Sequence, residues 1–205
     1  MKSKLCIAAL LVAFTSLPAF AQQSAKIDPA VVERYVKSAF PKVPEGWQSR
    51  VDQDETQRVC TQYHNEPPKA EFDKILAREK AAVVYPADGK VIGNWKEGQK
   101  VAQNGRGGQF SDPPGTVSGG NCYGCHQLSG TEVSFGTLGP SLRSYGKDRK
   151  FDPAEAKLTY AKIYNSNSVL PCSNMPRFGY HKVLTEQQIK DAVAYLFDPE
   201  SPVNK

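Results

Sequence analysis

Apolar residues recur at intervals of three and four along several segments of the chain, and no segment alternates convincingly between apolar and polar residues. The first pattern is typical of helices that bury one face, whereas the second would indicate half-buried strands. Four of the predicted helices begin at a recognisable N-cap, and these caps are Asp28, Asn94, Asp152 and Thr185. A fifth helix is predicted over Lys69 to Lys80. The pattern therefore predicts a mainly α-helical protein.

Proline supports two of these helix starts. Pro29 follows Asp28 and Pro153 follows Asp152, at the first helical position, where no backbone N–H is needed. Between the first two helices, Pro41 to Pro68 is rich in proline, charge and polar residues, and we predict an irregular wrap there. Aromatic and branched apolar residues are spread through this part of the chain, so we expect it to pack on another surface.

The first 21 residues have the layout of a secretory signal peptide. Lys2 and Lys4 form a basic start, Leu5 to Leu17 is apolar, and Ala19-Phe20-Ala21 places small residues at the cleavage positions. The apolar run is shorter than the roughly 20 residues that cross a bilayer, and we expect Cys6 to be discarded with it. We therefore predict a periplasmic protein with no membrane span.

The charge balance of the chain is mild. Of 26 basic residues, two lie in the signal peptide, which leaves 24 against 21 acidic residues and a net charge near +3 instead of +5. This balance excludes a strongly basic nucleic-acid-binding protein and is compatible with docking to an acidic protein face.

The chemistry of the chain is concentrated in Cys122-Tyr123-Gly124-Cys125-His126. A C-x-x-C-H run is the attachment motif of c-type haem, in which both thiols bind the haem and the imidazole becomes an axial iron ligand. A thioredoxin-like pair would need a βαβ context, and a structural zinc site would need a second close pair of ligands. The sequence has neither, so we predict one covalently attached haem c.

The second axial ligand is predicted to be Met175, the only methionine besides the initiator. It lies between Pro171 and Pro176, which stiffen its loop. Met/His ligation raises the reduction potential of a haem. Three competing ligands stay open at this point: His64, His181 and Cys172.

Cys60 and Cys172 are the cysteines that remain outside the signal peptide and the haem motif. Because an oxidising compartment favours pairing, we predict a disulfide between them. It would pin the N-terminal region to the loop that carries Met175. Free thiols and intermolecular bonds are the alternatives.

The position of the haem motif predicts the domain organisation. In a class I cytochrome c the motif follows one short helix, whereas about a hundred residues separate the signal peptide from the motif here. We predict a signal peptide over residues 1–21, an N-terminal extension over residues 22–90 and a class I cytochrome c-like haem domain over residues 91–205.

Several segments together resemble the SoxX family, the mono-haem cytochrome c subunits of the SoxAX complexes of bacterial sulfur oxidation. They are the haem motif with Gly139-Pro140-Ser141-Leu142, the loop Met175-Pro176-Arg177-Phe178-Gly179, the end-helix segment Ala194-Tyr195-Leu196 and the tail from Asp198 to Lys205. The resemblance covers roughly residues 91–205, and residues 22–90 look like the extension of the longer family members.

The resemblance implies a heterodimer with a SoxA-type cytochrome. That complex, an L-cysteine S-thiosulfotransferase, oxidatively joins thiosulfate to a cysteine of the SoxYZ carrier protein. The sulfur chemistry would belong to the SoxA haem, and this chain would pass electrons to a downstream acceptor cytochrome. The resemblance also implies that the Pro140 carbonyl accepts a hydrogen bond from Nδ1 of His126.

An iron held by both His126 and Met175 has no open position, which favours electron transfer over catalysis by this chain. Two other functions stay open: a freestanding periplasmic shuttle that feeds a terminal oxidase, and a five-coordinate sensor or peroxidase. A docking patch, with a solvated basic surface as its alternative, would consist of Lys147, Arg149, Lys150, Arg177 and Lys182.

Overall fold

The protein is described by a computed structural model that covers residues 26–109, 111–113 and 115–205. Within these residues there are helices and turns but no strand, which confirms the mainly α-helical class. The α-helices are α1 Pro29–Ala39, α2 Gln48–Val51, α3 Glu55–Gln62, α4 Lys69–Ala81, α5 Trp95–Gln103, α6 Tyr145–Asp148, α7 Pro153–Tyr164 and α8 Glu186–Phe197. Short 3₁₀ turns lie at Cys122–Gly124, Ser166–Ser168 and Pro202–Asn204. The predicted signal peptide falls outside the described residues.

All four predicted N-caps are confirmed by their hydrogen bonds. The side chains of Asp28, Asn94 and Asp152 each accept a bond from the backbone N–H two residues further on. Thr185 and Gln188 form the complete capping box that begins α8. These contacts are local in the chain, so the sequence alone was sufficient to place them.

The core of the predicted haem domain lies where α5 packs against α8. Gly98 of α5 is buried, and a Cβ at this position would lie 1.9 Å from the carbonyl oxygen of Asp191. The two helix backbones can therefore approach closely because residue 98 has no side chain. Around this crossing, Ile189 and Val193 of α8 are fully buried, and α7 packs its own buried face, including Tyr160, against the same core.

The C-terminal tail returns to the core after α8 ends at Phe197. Val203 is 1% exposed, and the Asn204 side chain accepts bonds from the backbone N–H groups of Gly146 and Lys147. The same side chain donates to the Leu196 carbonyl at 3.1 Å. The tail thus holds α6 against the end of α8, and the buried side-chain amide of Asn204 has its hydrogen bonds satisfied.

The extension contains more helix than the sequence pattern indicated. The prediction of an irregular wrap over residues 41–68 is wrong in part, because α2 and α3 lie there. Asp54 accepts from the Gln57 N–H at 2.8 Å, and the Gln57 side chain accepts from the Asp54 N–H at 2.9 Å, which is a full capping box. α3 buries just Thr56 and Cys60, so it shows no apolar stripe of the kind used to predict helices.

The helices of the extension differ in their burial. α1 begins at Pro29 as predicted, but none of its residues is buried, and Tyr35 is 72% exposed. In contrast, Ile75 of α4 is 1% exposed and packs with Cys60 and Cys172 in a small second core. The boundary between extension and haem domain at residue 90 stays a prediction. Among the described residues, no helix has the length and apolar character needed to cross a membrane.

Candidate haem site and its methionine loop

The C-x-x-C-H motif forms a single tight turn. Cys122–Gly124 is a 3₁₀ turn, and the Cys122 carbonyl accepts from the N–H groups of Cys125 at 3.1 Å and His126 at 2.8 Å. Neither Cys122 nor Cys125 is in a disulfide. The turn therefore gathers two free thiols and one imidazole over five residues, which is the set that covalent haem attachment requires.

The environment of Cys122 differs from that of a redox-active thiol. Burial raises the pKa of the Cys122 thiol to about 12. Redox C-x-x-C pairs instead have a thiol whose pKa is lowered, because the thiolate is the nucleophile. A zinc site finds no support either, since the described residues contain no group of three or more potential metal-ligating side chains.

The His126 ring is oriented by a backbone acceptor. Nδ1 lies 2.7 Å from the Pro140 carbonyl oxygen. A carbonyl can only accept, so Nδ1 donates its proton in this contact and Nε2 keeps a lone pair for a metal. Such a bond holds an axial histidine in one tautomer and increases its basicity as a ligand.

Two glycines bring the following segment against the motif. A Cβ at Gly139 would lie 2.2 Å from Cε1 of the His126 ring, and a Cβ at Gly136 would lie 1.9 Å from the Gly124 carbonyl oxygen. The Gly139 N–H also donates to the Cys125 carbonyl at 2.8 Å. The absence of side chains at these positions lets the chain lie against the imidazole, so the cradle fits a histidine that carries a haem iron.

Met175 lies between α7 and α8, in residues 172–179, which we call the methionine loop. Its side chain is partly buried and packs against the same hydrophobic core as Cys122. Its carbonyl accepts from Ser166 Oγ at 2.6 Å, and its N–H donates to Ser173 Oγ at 3.2 Å. The loop backbone is therefore fixed on both sides of the thioether, and an imidazole with a thioether is a donor set that suits c-type haem iron.

The structure removes Cys172 from the competing ligands and shows the surroundings of His64 and His181. Cys172 is bonded to Cys60 and has no thiolate to offer. His64 is on an exposed part of the chain. His181 is half-buried in a cavity of about 310 Å³, which it lines together with Thr56 of the extension. Burial, and then the charge of Arg177, lower the pKa of His181.

A disulfide ties the methionine loop to the extension. Cys60 of α3 and Cys172 are 112 residues apart in sequence, and their Cα atoms lie 5.3 Å apart. Both are buried, at 6% and 8% exposure. Since Cys172 precedes Met175 by three residues, the loop cannot move far from α3 while this bond is intact.

Arg177 belongs to a buried polar cluster, and its assignment to a surface patch is wrong. Its exposure is 5%. The guanidinium donates to Asp54 Oδ2, to Glu79 Oε2 at 2.7 Å and to Asn165 Oδ1 at 3.1 Å. Asn165 Nδ2 in turn donates to Glu79 Oε2 at 2.7 Å. We call Arg177, Asp54, Glu79 and Asn165 the Arg177 cluster.

The sequence contained no local signal for this cluster, because Asp54 and Glu79 lie 123 and 98 residues from Arg177. Three other members of the proposed basic patch, Lys147, Lys150 and Lys182, are exposed. Arg149 is partly buried, with its guanidinium carbon 3.6 Å from the centre of the Tyr145 ring. The surface that remains is smaller and less basic than the sequence indicated.

Comparisons with known proteins agree with this site. A family model described as Cytochrome c matches residues 95–198, just over half of the 205 residues, and this range includes the haem motif and Met175. A protein of Aquifex aeolicus (strain VF5), named "Uncharacterized lipoprotein", is 37% identical over 212 residues, and the match covers 100% of both chains. The chain belongs to the cytochrome c family, carries a covalently attached haem c, and functions in haem-based electron transfer.

Proposed function

We propose that this protein is the electron-transfer subunit of a SoxAX-type complex in the periplasm. One observation carries the proposal: the Met175-Pro176-Arg177-Phe178-Gly179 loop, which resembles SoxX, places Met175 against the same hydrophobic core as Cys122 of the haem motif, whose imidazole is already oriented by Pro140. A second resemblance supports it, since the SoxX-like tail is lodged in the core through Val203 and Asn204.

Haem, when attached through Cys122 and Cys125, supplies a one-electron centre. The residues of the chain determine how that centre behaves. Pro140 keeps His126 in one tautomer, and Met175 offers a neutral, soft sulfur that favours the reduced metal. His126 and Met175 would hold the iron and would leave no position open to a substrate, so we assign the sulfur chemistry to the partner.

The proposed partners are a SoxA-type cytochrome in a heterodimer, the SoxYZ carrier protein as the substrate of the complex, and a downstream acceptor cytochrome. The periplasmic location is supported by the signal-like N-terminus and by the kind of relative found, because lipoproteins are exported proteins. An exported location also provides the oxidising conditions that the Cys60–Cys172 bond requires.

A freestanding electron shuttle is the second candidate. The observation in its favour is that the buried charges of the extension find their partners within this chain, as Asp54 and Glu79 pair with Arg177. An extension that is satisfied internally does not require a second subunit to fold. The exposed helix α1 favours the complex instead, because its apolar residues Val31 and Tyr35 lie at the surface.

Co-expression with the SoxA-type cytochrome of the same organism, in a host that matures c-type cytochromes, tests the choice. The complex predicts co-purification at one-to-one stoichiometry that survives gel filtration at about 0.15 M salt. A variant with Val31→Ser and Tyr35→Ser in α1 asks whether the exposed face takes part. Val133→Ser, which changes an exposed apolar residue outside α1, is the control. A chain that stays monomeric beside its genomic neighbour contradicts the proposed complex and favours the shuttle.

The role of Met175 is tested by Met175→Ala. We expect the thioether-to-iron charge-transfer band of the oxidised protein to disappear and the reduced protein to bind carbon monoxide. The wild-type protein should show the band and bind carbon monoxide poorly at neutral pH. A wild-type protein that binds carbon monoxide readily would instead indicate a five-coordinate sensor or peroxidase.

A further inference from the structure

The Arg177 cluster contains charged side chains that are buried, and a buried charge is unfavourable unless other interactions compensate for it. Arg177 is 5% exposed, and Glu79 is 3% exposed. Removing both charges from water costs free energy that their attraction only partly returns, and apolar side chains of similar size often stabilise a core better. A buried ion pair is therefore weak evidence for stability, and its directional hydrogen bonds fix geometry more strictly than apolar packing does.

The geometry that the cluster fixes is that of the methionine loop. Arg177 follows Met175 by two residues, with Pro176 between them. All three acceptors of its guanidinium lie outside the loop: Asp54 precedes α3, Glu79 is on α4, and Asn165 follows α7. Arg177 thus joins the methionine loop to the start of α3, to α4 and to the end of α7.

The carboxylate of Glu79 is held as strictly as the guanidinium. Its Oε2 accepts from Arg177 and Asn165, and its Oε1 accepts from the hydroxyl of Thr56. The Arg78 guanidinium lies 3.5 Å from the same Oε1. With its acceptor atoms engaged, Glu79 has one orientation, and it transmits that orientation to the loop.

The loop is therefore attached to the extension on both sides of the thioether. Cys172 anchors it on one side through the disulfide to Cys60, and Arg177 anchors it on the other side through the cluster. Ser166 holds the Met175 carbonyl between these two anchors. A thioether is a weak neutral ligand, so its occupancy of an iron position depends on how tightly its loop is held.

We infer that Arg177 is a positioning residue for Met175, and that the extension acts through the Arg177 cluster as a brace that keeps the thioether in place and exogenous ligands out. The inference rests on the proposed role of Met175 as an axial ligand. It assigns to residues 54–79 a function in the haem site itself, besides any contribution to a partner interface.

Glu79→Gln in the full-length, haem-loaded protein tests the inference. The substitution keeps the shape of the side chain but leaves Arg177 with a single anionic partner in a buried site, which weakens the attachment of the methionine loop to α4. We expect imidazole, added to the oxidised protein, to bind at least about tenfold more tightly than to the wild type, and the thioether-to-iron band to weaken. Glu97→Gln removes the exposed partner of Lys100 and is the control with no expected change.

The circular dichroism of both variants separates positioning from general damage, because a purely structural role would lower helix content or thermal stability and leave imidazole affinity unchanged at low temperature. If Glu79→Gln does not fold, Asp54→Asn, at the more exposed edge of the cluster, takes its place with a smaller increase in imidazole affinity. If the wild-type protein shows no thioether-to-iron band, Met175 is not an axial ligand, and this inference fails together with that role. A wild type with the band, beside variants of unchanged imidazole affinity, overturns the brace alone.

Discussion

The two proposed axial ligands, His126 and Met175, are held by contacts of different range. His126 is oriented by Pro140, 14 residues away in sequence, and by glycines of the same segment. Met175 lies in a loop whose anchors are distant in the chain, since Cys60 is 112 residues from Cys172 and Asp54 is 123 residues from Arg177. The histidine side is thus a property of the haem domain alone, whereas the methionine side depends on the extension.

The largest expected effect comes from cutting the covalent link on the methionine side. Replacing Cys60 and Cys172 together by serine should lower the free energy of unfolding by about 3 to 5 kcal/mol, because the unfolded variant regains the conformational entropy of a loop of 112 residues. Denaturation with guanidinium, followed by circular dichroism, measures this change. The thioether-to-iron band should be lost at a lower denaturant concentration than the helical signal.

The same variant should leave the histidine side unchanged. Haem should stay covalently attached through Cys122 and Cys125, as a haem stain of the denatured protein on a gel would show. Loss of attached haem, or a thioether band as resistant as in the wild type, would contradict the division into a local and a long-range side.

A substitution on the histidine side gives the reverse pattern. Gly139→Ala places a Cβ where the His126 ring lies, and we expect a cost of about 2 kcal/mol in the free energy of unfolding, typical of an overpacked position. The Soret spectrum and the yield of haem-loaded protein should change, while the Cys60–Cys172 bond should form normally.

Gly130→Ala is the matched control for Gly139→Ala. A Cβ at Gly130 would meet the end of the flexible Arg143 side chain at 3.2 Å, which can move aside. We expect Gly130→Ala to lower the free energy of unfolding by much less than Gly139→Ala does. Equal losses from both substitutions would mean that the close approach to His126 is not what residue 139 provides.

The range of the contacts also explains what sequence reasoning could predict. The haem motif and the caps at Asp28, Asn94, Asp152 and Thr185 are local patterns, and the structure contains each of them. The Cys60–Cys172 pair is a long-range contact, yet it could be predicted because two cysteines were left after the others had been assigned.

No comparable elimination was possible for the Arg177 cluster. Arginine, aspartate and glutamate are common surface residues, and the sequence offered many possible pairs for Arg177, so the residue was assigned to a basic patch. α3 was missed for a related reason, because it buries Thr56 and Cys60 instead of an apolar stripe. Its capping box of Asp54 and Gln57 was the signal that could have revealed it.

A smaller effect is expected from the hydrogen bond that holds the middle of the methionine loop. Ser166 is fully buried, and its hydroxyl donates to the Met175 carbonyl at 2.6 Å. Ser166→Ala should lower the free energy of unfolding by about 1 kcal/mol, because the Met175 carbonyl loses the hydrogen bond from this buried hydroxyl. The thioether-to-iron band should weaken or shift in the oxidised protein.

Ser168→Ala provides the comparison, since Ser168 is 1% exposed and donates to the Ala161 carbonyl at 3.3 Å. This bond lies in the haem domain and does not touch the methionine loop. We expect a similar loss of stability with an unchanged thioether band. If both variants altered the band equally, local packing rather than the bond to Met175 would control the ligand.

The smallest expected effect concerns the stability of the protein at low pH. Burial alone would raise the pKa of Asp54, but the N–H of Gln57 and the hydrogen bond and charge of Arg177 outweigh it, so its pKa is lowered. The folded protein then binds this proton less tightly than the unfolded chain does. The resulting stability is present above the ordinary aspartate pKa of about 4 and is lost as the pH falls through the folded-state pKa. Because Asp54 is partly exposed, we expect its charge to contribute less than about 1 kcal/mol to the free energy of unfolding.

Urea unfolding between about pH 6 and pH 3 measures this contribution. Asp54→Asn should lose less stability over this pH range than the wild type, since asparagine keeps the cap without the charge. Identical pH profiles for the two proteins would mean that Asp54 serves the cap of α3 and contributes no charge to the loop, which would leave Glu79 as the anionic partner that orients Arg177.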